Sequence, residues 1–69
     1  MKNALKTERK RKSITQEQLA DLVGVSRQSI NAIERGKFVP STVLAMKISE
    51  IFNTSVNSIF ELESSDYGR

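Results

Sequence analysis

The side chains best suited to recognition chemistry lie between positions 27 and 35 of this 69-residue sequence. If this stretch is helical, four of its polar residues share an arc of roughly 100°, because each residue turns a helix by about 100°. They are Arg27, Gln28, Asn31 and Arg35. A guanidinium can bridge the two acceptors of guanine, and a carboxamide can pair with adenine in the major groove of DNA. The arc therefore predicts a surface that reads DNA bases.

Two neighbours of this arc support the same interpretation. Ala32 lies beside the arc, and its small side chain would let the helix enter the groove deeply and contact a thymine methyl group. Glu34, the one acid of the stretch, lies at the border of the arc, where it would not repel DNA. The alternative is an ordinary polar helix face. We expect Arg27, Gln28, Asn31 and Ala32 to read bases.

A second group of residues is suited to phosphate. Gln16 would be the first residue of a helix, where free N–H groups and the helix dipole favour an anion. The other candidates follow the polar arc and are the Arg35 side chain, the Gly36 N–H and the Lys37 side chain. Such contacts fix the register of a protein on DNA without reading its sequence. For Lys37, the alternative is a solvated loop lysine.

Arg9 and Glu34 are expected to form a structural ion pair. Each would lie on the inward side of its own helix, so the pair would join the first and third helices. Removing one partner of a well-buried pair costs on the order of 3–5 kcal/mol. The alternative role of Arg9 is a phosphate contact.

The sequence lacks the residue types that most often catalyse reactions or bind metal ions. The chain has no cysteine and no histidine, which removes disulfides, the common zinc ligands and the usual general base. A domain of this length can hardly fill a core and also enclose a small-molecule pocket of several hundred Å³. We therefore expect no catalytic residues, no metal, no cofactor and no small-molecule ligand.

Cap residues and apolar spacing predict five helices. The first covers residues 2–11, and the second follows the capping-box pattern that Thr15 forms with Gln18. Gly24 is expected to end the second helix in the left-handed conformation. Serines are expected to cap the remaining three, the last of which carries Val56, Ile59 and Phe60; these serines are Ser26, Ser41 and Ser55.

The two helices around Gly24 form the pattern of a helix-turn-helix. Ala20 is small where the two helices must cross, and Ile30 and Ile33 are placed to pack the second helix of the pair against the first. Such pairs meet at a steep angle and can place their second helix in the major groove.

Charge and hydropathy agree with a DNA partner. The net charge is +3, and six cations stand against one acid between positions 2 and 12, which suits a polyanion. No apolar run is long enough to cross a membrane, and the N-terminus lacks the apolar region of a signal peptide. We expect one domain over residues 1–62, a flexible acidic tail over 63–69, and a cytoplasmic location.

The run from Ile14 to Gly36, ITQEQLADLVGVSRQSINAIERG, closely resembles the Xre family, which includes phage Cro proteins and phage repressors. The resemblance covers about residues 2 to 62. It implies an all-α, five-helix domain of phage-repressor type that binds operator DNA, commonly as a two-fold dimer. It also implies that Gln16, Arg27, Gln28 and Asn31 face DNA. Ala32 stands where some members carry a polar base reader, so their operators cannot be transferred to this chain.

The sequence thus predicts a transcriptional regulator, with repression favoured, that binds a near-palindromic site in double-stranded DNA. We expect a homodimer through the fifth helix and the region of Leu62. The alternatives are a protein-interaction module that has kept the helix-turn-helix, and the antitoxin component of a toxin–antitoxin pair.

Overall fold

The computed structural model describes residues 1–68, and within them five helices and two very short strands. The strands are β1 (Lys2–Asn3) and β2 (Phe60–Glu61). The helices between them are α1 (Leu5–Arg11), α2 (Gln16–Val23), α3 (Arg27–Glu34), α4 (Thr42–Ile51) and α5 (Val56–Ile59). The predicted all-helical, repressor-like fold class is confirmed.

Local capping explains where the helices begin and end. Thr15 and Gln18 form the expected capping box: the Gln18 N–H donates to Thr15 Oγ1 at 3.0 Å, and the Thr15 N–H donates to Gln18 Oε1 at 2.8 Å. The three predicted serine caps each accept a backbone N–H at the start of α3, α4 or α5. Gly24 ends α2 with a φ of 78°, a left-handed conformation that glycine adopts without steric cost.

Two predicted helix boundaries are wrong. The first helix begins at Leu5 rather than at residue 2, because Lys2 and Asn3 pair with β2 in an antiparallel ladder, Lys2 opposite Glu61 and Asn3 opposite Phe60. The same pairing takes Phe60 out of α5, which ends at Ile59. Both boundaries are set by pairing between residues almost sixty positions apart, and such pairing cannot be predicted from the spacing of neighbouring residues.

One apolar cluster joins all five helices and β2. Six of its side chains have less than 2% of their surface exposed, and these are Leu5, Leu19, Ile30, Ile33, Ile48 and Ile59. Ala20 is buried on α2, at the position expected to let α2 and α3 approach. The core therefore holds α3 by both of its isoleucines.

The segment after β2 is turned back toward the N-terminus. Ser64–Tyr67 form a single 3-10 turn. The terminal amine of Met1 lies 3.0 Å from Glu63 Oε1 and 3.2 Å from Asp66 Oδ2. The acidic residues of the predicted tail thus take part in ion pairs here, while its flexibility stays a prediction. Arg69, the last residue of that tail, lies outside the described residues.

Candidate nucleic-acid interface

The body of the protein holds α3 by its inward face. Ser26 accepts the Ser29 N–H at 3.2 Å and starts the helix. Ile30 and Ile33 are 0% and 1% exposed, so the side of α3 opposite these two residues faces outward. The turn before α3 is fixed by two N–H groups, those of Gly24 and Val25, which both donate to the carbonyl of Ala20.

The outward face of α3 carries the predicted base-reading residues. Arg27 and Gln28 are exposed, and Asn31 and Ala32 are half-buried on the same side of the helix. The Glu34 carboxylate, by contrast, is turned inward and its side chain is 4% exposed. The face presents guanidinium and amide groups with no carboxylate among the residues of α3 that point outward.

The ion pair predicted between Arg9 and Glu34 is present. Arg9 Nε donates to Glu34 Oε2 at 2.8 Å, and a second guanidinium nitrogen donates to Glu34 Oε1 at 3.2 Å. The third nitrogen of the Arg9 fork donates to the Ile14 carbonyl at 2.9 Å. The hydrogen bonds to Glu34 raise the pKa of Arg9 above its usual value. With all three nitrogens engaged inside the protein, Arg9 is a structural residue of the α1–α3 contact.

Gln16 lies at the first position of α2 and is half-buried. Its side chain points toward α3, where Nε2 donates to Glu34 Oε1 at 3.1 Å and Oε1 accepts from Asn31 Nδ2 at 3.5 Å. One of the two N–H bonds on Nε2 is used in this way. The predicted phosphate contact would therefore use the other.

The chain leaves α3 through a tight turn. Gly36 has a φ of 74°, its N–H donates to the Ile33 carbonyl at 3.0 Å, and the Lys37 N–H donates to the Ala32 carbonyl at 2.9 Å. The Gly36 N–H predicted to contact phosphate is thus occupied within the protein, because it satisfies one of the last carbonyls of the helix. The side chains of Arg35 and Lys37, which follow α3, are exposed.

Residues 5–59 match the family described as Helix-turn-helix. The match covers all five helices and the whole of the surface described above. The chain belongs to this Xre-like helix-turn-helix family.

Two relatives of this helix-turn-helix protein align over nearly their whole length. An HTH-type transcriptional regulator of Methanocaldococcus jannaschii is 48% identical over 66 residues, which is 96% of this chain and 100% of the relative. The HTH-type transcriptional regulator YgzD of Bacillus subtilis is 46% identical over 63 residues, which is 91% of this chain and 96% of the relative.

Solved structures share the helix-turn-helix fold. The restriction-modification controller protein C.AhdI of Aeromonas hydrophila superposes with a TM-score of 0.74 at 30% identity, covering 81% of this chain and 85% of that one. The N-terminal DNA-binding domain of SinR from Bacillus subtilis gives 0.74 at 28% identity, covering 87% and 88%. The fold is that of helix-turn-helix DNA-binding domains.

Asn3 supports the helix-turn-helix in a way that the sequence did not indicate. Its Nδ2 donates to the Ile33 carbonyl at 2.8 Å, and its Oδ1 accepts the Leu5 N–H at 3.2 Å. The side chain thus accepts the first N–H of α1 and also holds the last turn of α3. An asparagine often accepts the N–H two positions further along the chain, but the helix expected from residue 2 hid that sign.

Proposed function

We propose that this protein is a sequence-specific DNA-binding transcriptional regulator that places α3 in the major groove of a near-palindromic operator. The observation that carries the proposal is which side chains of α3 are buried and which are exposed. Its isoleucines and its one acid are turned inward, while Arg27 and Gln28 are exposed. The family and the regulator names of its relatives support the same activity.

Base reading is assigned to Arg27, Gln28, Asn31 and Ala32. Arg27 and Gln28 lie in the first turn of α3, and the first turn of a recognition helix commonly meets base edges. Arginine suits guanine, and the two amides suit adenine. Ala32, one turn further on, allows close approach and is small enough to accept a thymine methyl group beside it.

Phosphate contacts are assigned to the two edges of this surface. At one edge is Gln16, through its second N–H, and at the other are the Arg35 and Lys37 side chains. Gly36 contributes the turn that directs Lys37, since its own N–H is already bonded. These contacts would place α3 in the groove and make binding depend on salt.

A two-fold dimer would double an interface that is small for one domain, about 600–1,000 Å². We propose that the two copies meet through the region of α5 and Leu62. Ile59 and Phe60 are buried in the core of their own subunit, whereas Leu62 is 57% exposed. The exposed Met46 of α4 lines a shallow groove together with the half-buried Val56 of α5, so the region of α5 offers further apolar area for a second copy.

Regulation would follow from occupancy, since a dimer bound near a promoter either blocks polymerase or recruits it. Of these two outcomes, repression is the one proposed. The cytoplasm, where bacterial and archaeal DNA lies, is the proposed location. The structure contains no described helix with the length and apolar character of a membrane span.

A selection from randomised double-stranded DNA tests this function. We expect enrichment of a site with two inverted half-sites about 34 Å apart, bound with a Kd of roughly 10⁻⁸–10⁻¹¹ M at physiological salt. If no sequence is enriched and binding stays in the nonspecific range of about 10⁻⁴–10⁻⁶ M, the proposal is wrong. The protein-interaction module would then be the better interpretation.

A further inference from the structure

Four side chains form a continuous line of hydrogen bonds from α1 to the outward face of α3. The line runs from Arg9 to Glu34, then to Gln16, and ends at Asn31. Its buried end is the ion pair, in which Arg9 contacts both oxygens of Glu34. Its outer end is the side chain of Asn31, which the proposed function assigns to base reading.

The chemistry of these groups gives the line a fixed direction. An ionised carboxylate only accepts hydrogen bonds, so Gln16 must turn its NH₂ group toward Glu34. Its carbonyl oxygen then faces Asn31. That oxygen is also only an acceptor, so Asn31 must turn its own NH₂ group toward Gln16. The charge of Glu34 therefore sets the orientation of two successive amides.

We propose that Glu34 and Gln16 are positioning residues that fix the amide of Asn31 for one kind of base. With one N–H held by Gln16, Asn31 has its second N–H and its Oδ1 left for a ligand. A donor beside an acceptor is the complement of adenine, which offers N7 as acceptor and its 6-amino group as donor. An asparagine with a freely rotating amide would pay more entropy to make this pair and would discriminate less.

This inference rests on the proposed function. It also predicts that the base preference of Asn31 depends on Gln16, which the proposed function alone does not require. The Gln16→Met variant keeps the length of the side chain and removes its amide. In an intact chain, one good amide–adenine pair gives about 5- to 150-fold discrimination at its base pair. We expect Gln16→Met to lose most of that factor at the base pair read by Asn31 and to keep the preferences at other positions.

The test measures relative affinity for the selected site and for variants of it at each position. Asn31→Ala first identifies the base pair that Asn31 reads, because preference there relaxes. Gln16→Met should relax the same position, and the Gln16→Met/Asn31→Ala double variant should discriminate no less than Asn31→Ala alone. If Gln16→Met instead weakens all sites equally and leaves that preference intact, Gln16 is a phosphate contact only and the inference is overturned.

A second measurement does not depend on DNA. In the free protein, the NMR signals of the two side-chain amide protons of Asn31 should shift in Gln16→Met, the proton bonded to Gln16 more than the other. Gln28→Met, which removes an exposed amide from α3 without touching this line, is the matched control and should leave those signals in place. Equal shifts in both variants, or none in either, would overturn the inference. A wild-type protein without any sequence preference would overturn the proposed function itself.

Discussion

Asn3 Nδ2 donates a hydrogen bond of 2.8 Å to the carbonyl of Ile33, thirty residues away in the last turn of α3. The contact ties the N-terminal strand to the helix that carries the proposed recognition face. The Ile33 carbonyl also accepts the Gly36 N–H, so the bond from Asn3 is an addition to an already capped helix end.

Asn3→Ala removes this bond and also the one that Asn3 Oδ1 accepts from the Leu5 N–H. It should therefore lower the free energy of unfolding by about 1–3 kcal/mol, the net worth of two typical hydrogen bonds. Urea unfolding followed by circular dichroism measures the change. Lys2→Ala, which alters the exposed neighbour on the same strand, is the control and should lie within about 0.5 kcal/mol of the wild type. Equal effects of the two substitutions would show that the strand, and not the Asn3 side chain, stabilises the protein.

Breaking the Arg9–Glu34 pair should cost more. The two side chains are 12% and 4% exposed, and an Arg9→Met variant leaves the Glu34 charge buried without its main partner. We expect a loss of about 3–5 kcal/mol in unfolding free energy. The Arg9→Met/Glu34→Met double variant should recover a large part of it, because no unpaired charge remains. A double variant no more stable than Arg9→Met would contradict this explanation.

Gly24 should resist substitution because of its backbone and not because of crowding. Its φ is +78°, and an added Cβ would meet no atom within 4 Å. Gly24→Ala should therefore lower the unfolding free energy by about 1–2 kcal/mol, the cost of the left-handed conformation for an L-residue. Gly24→Asn should cost less, because asparagine adopts that conformation more readily. Equal losses for alanine and asparagine would point to another cause.

The docking of the C-terminal turn should depend on pH in two directions. Hydrogen bonds from the terminal amine of Met1 to the carboxylates of Glu63 and Asp66 raise the pKa of that amine. The pKa of Asp66 is lowered, first because its carboxylate accepts the Glu63 N–H and then because it pairs with the amine. Because its pKa is higher in the folded state, the protonated amine stabilises the contact between the N-terminus and the C-terminal turn. This stabilisation is fully present below the pKa of the amine in the unfolded chain, near 8, and is lost as the pH rises through its pKa in the folded protein.

A lowered pKa of Asp66 acts in the opposite sense. The ionised Asp66 carboxylate stabilises the same contact at pH values above its pKa in the unfolded chain, near 4. This stabilisation is lost as the pH falls through its pKa in the folded protein. Docking should thus be strongest between about pH 5 and 7. The carboxyl ¹³C shifts of Glu63 and Asp66 report it, and acetylation of the amine is the control that should abolish the alkaline change. An alkaline change that survives acetylation would mean that another group is responsible.

The parts of the molecule that the sequence predicts well are those fixed by local chemistry. Thr15, Ser26 and Gly24 act on backbone groups within four positions of themselves, and the spacing of Ile30 and Ile33 determines which side of α3 is buried. The inward turn of Glu34 follows from the same helical spacing, since it lies one turn after Ile30.

What the sequence did not predict depends on contacts between distant segments. The β1–β2 pairing moved the start of α1 and the end of α5, and it placed Asn3 against α3. The inward side chain of Gln16 depends on how α2 crosses α3, which sets its distance to Glu34 and Asn31. Such distances follow from the packing of the whole chain, whereas helical periodicity describes one element at a time.

The direct test of base reading by α3 compares Arg27→Ala with Lys37→Ala on the selected operator, over a range of salt concentrations and base substitutions. Arg27→Ala should cost about 1–3 kcal/mol in binding and relax the preference at one base pair. Lys37→Ala should weaken all sequences similarly and reduce the slope of log affinity against log salt by about one. If Arg27→Ala gives the same uniform loss as Lys37→Ala, with every base preference intact, α3 does not read the bases through Arg27.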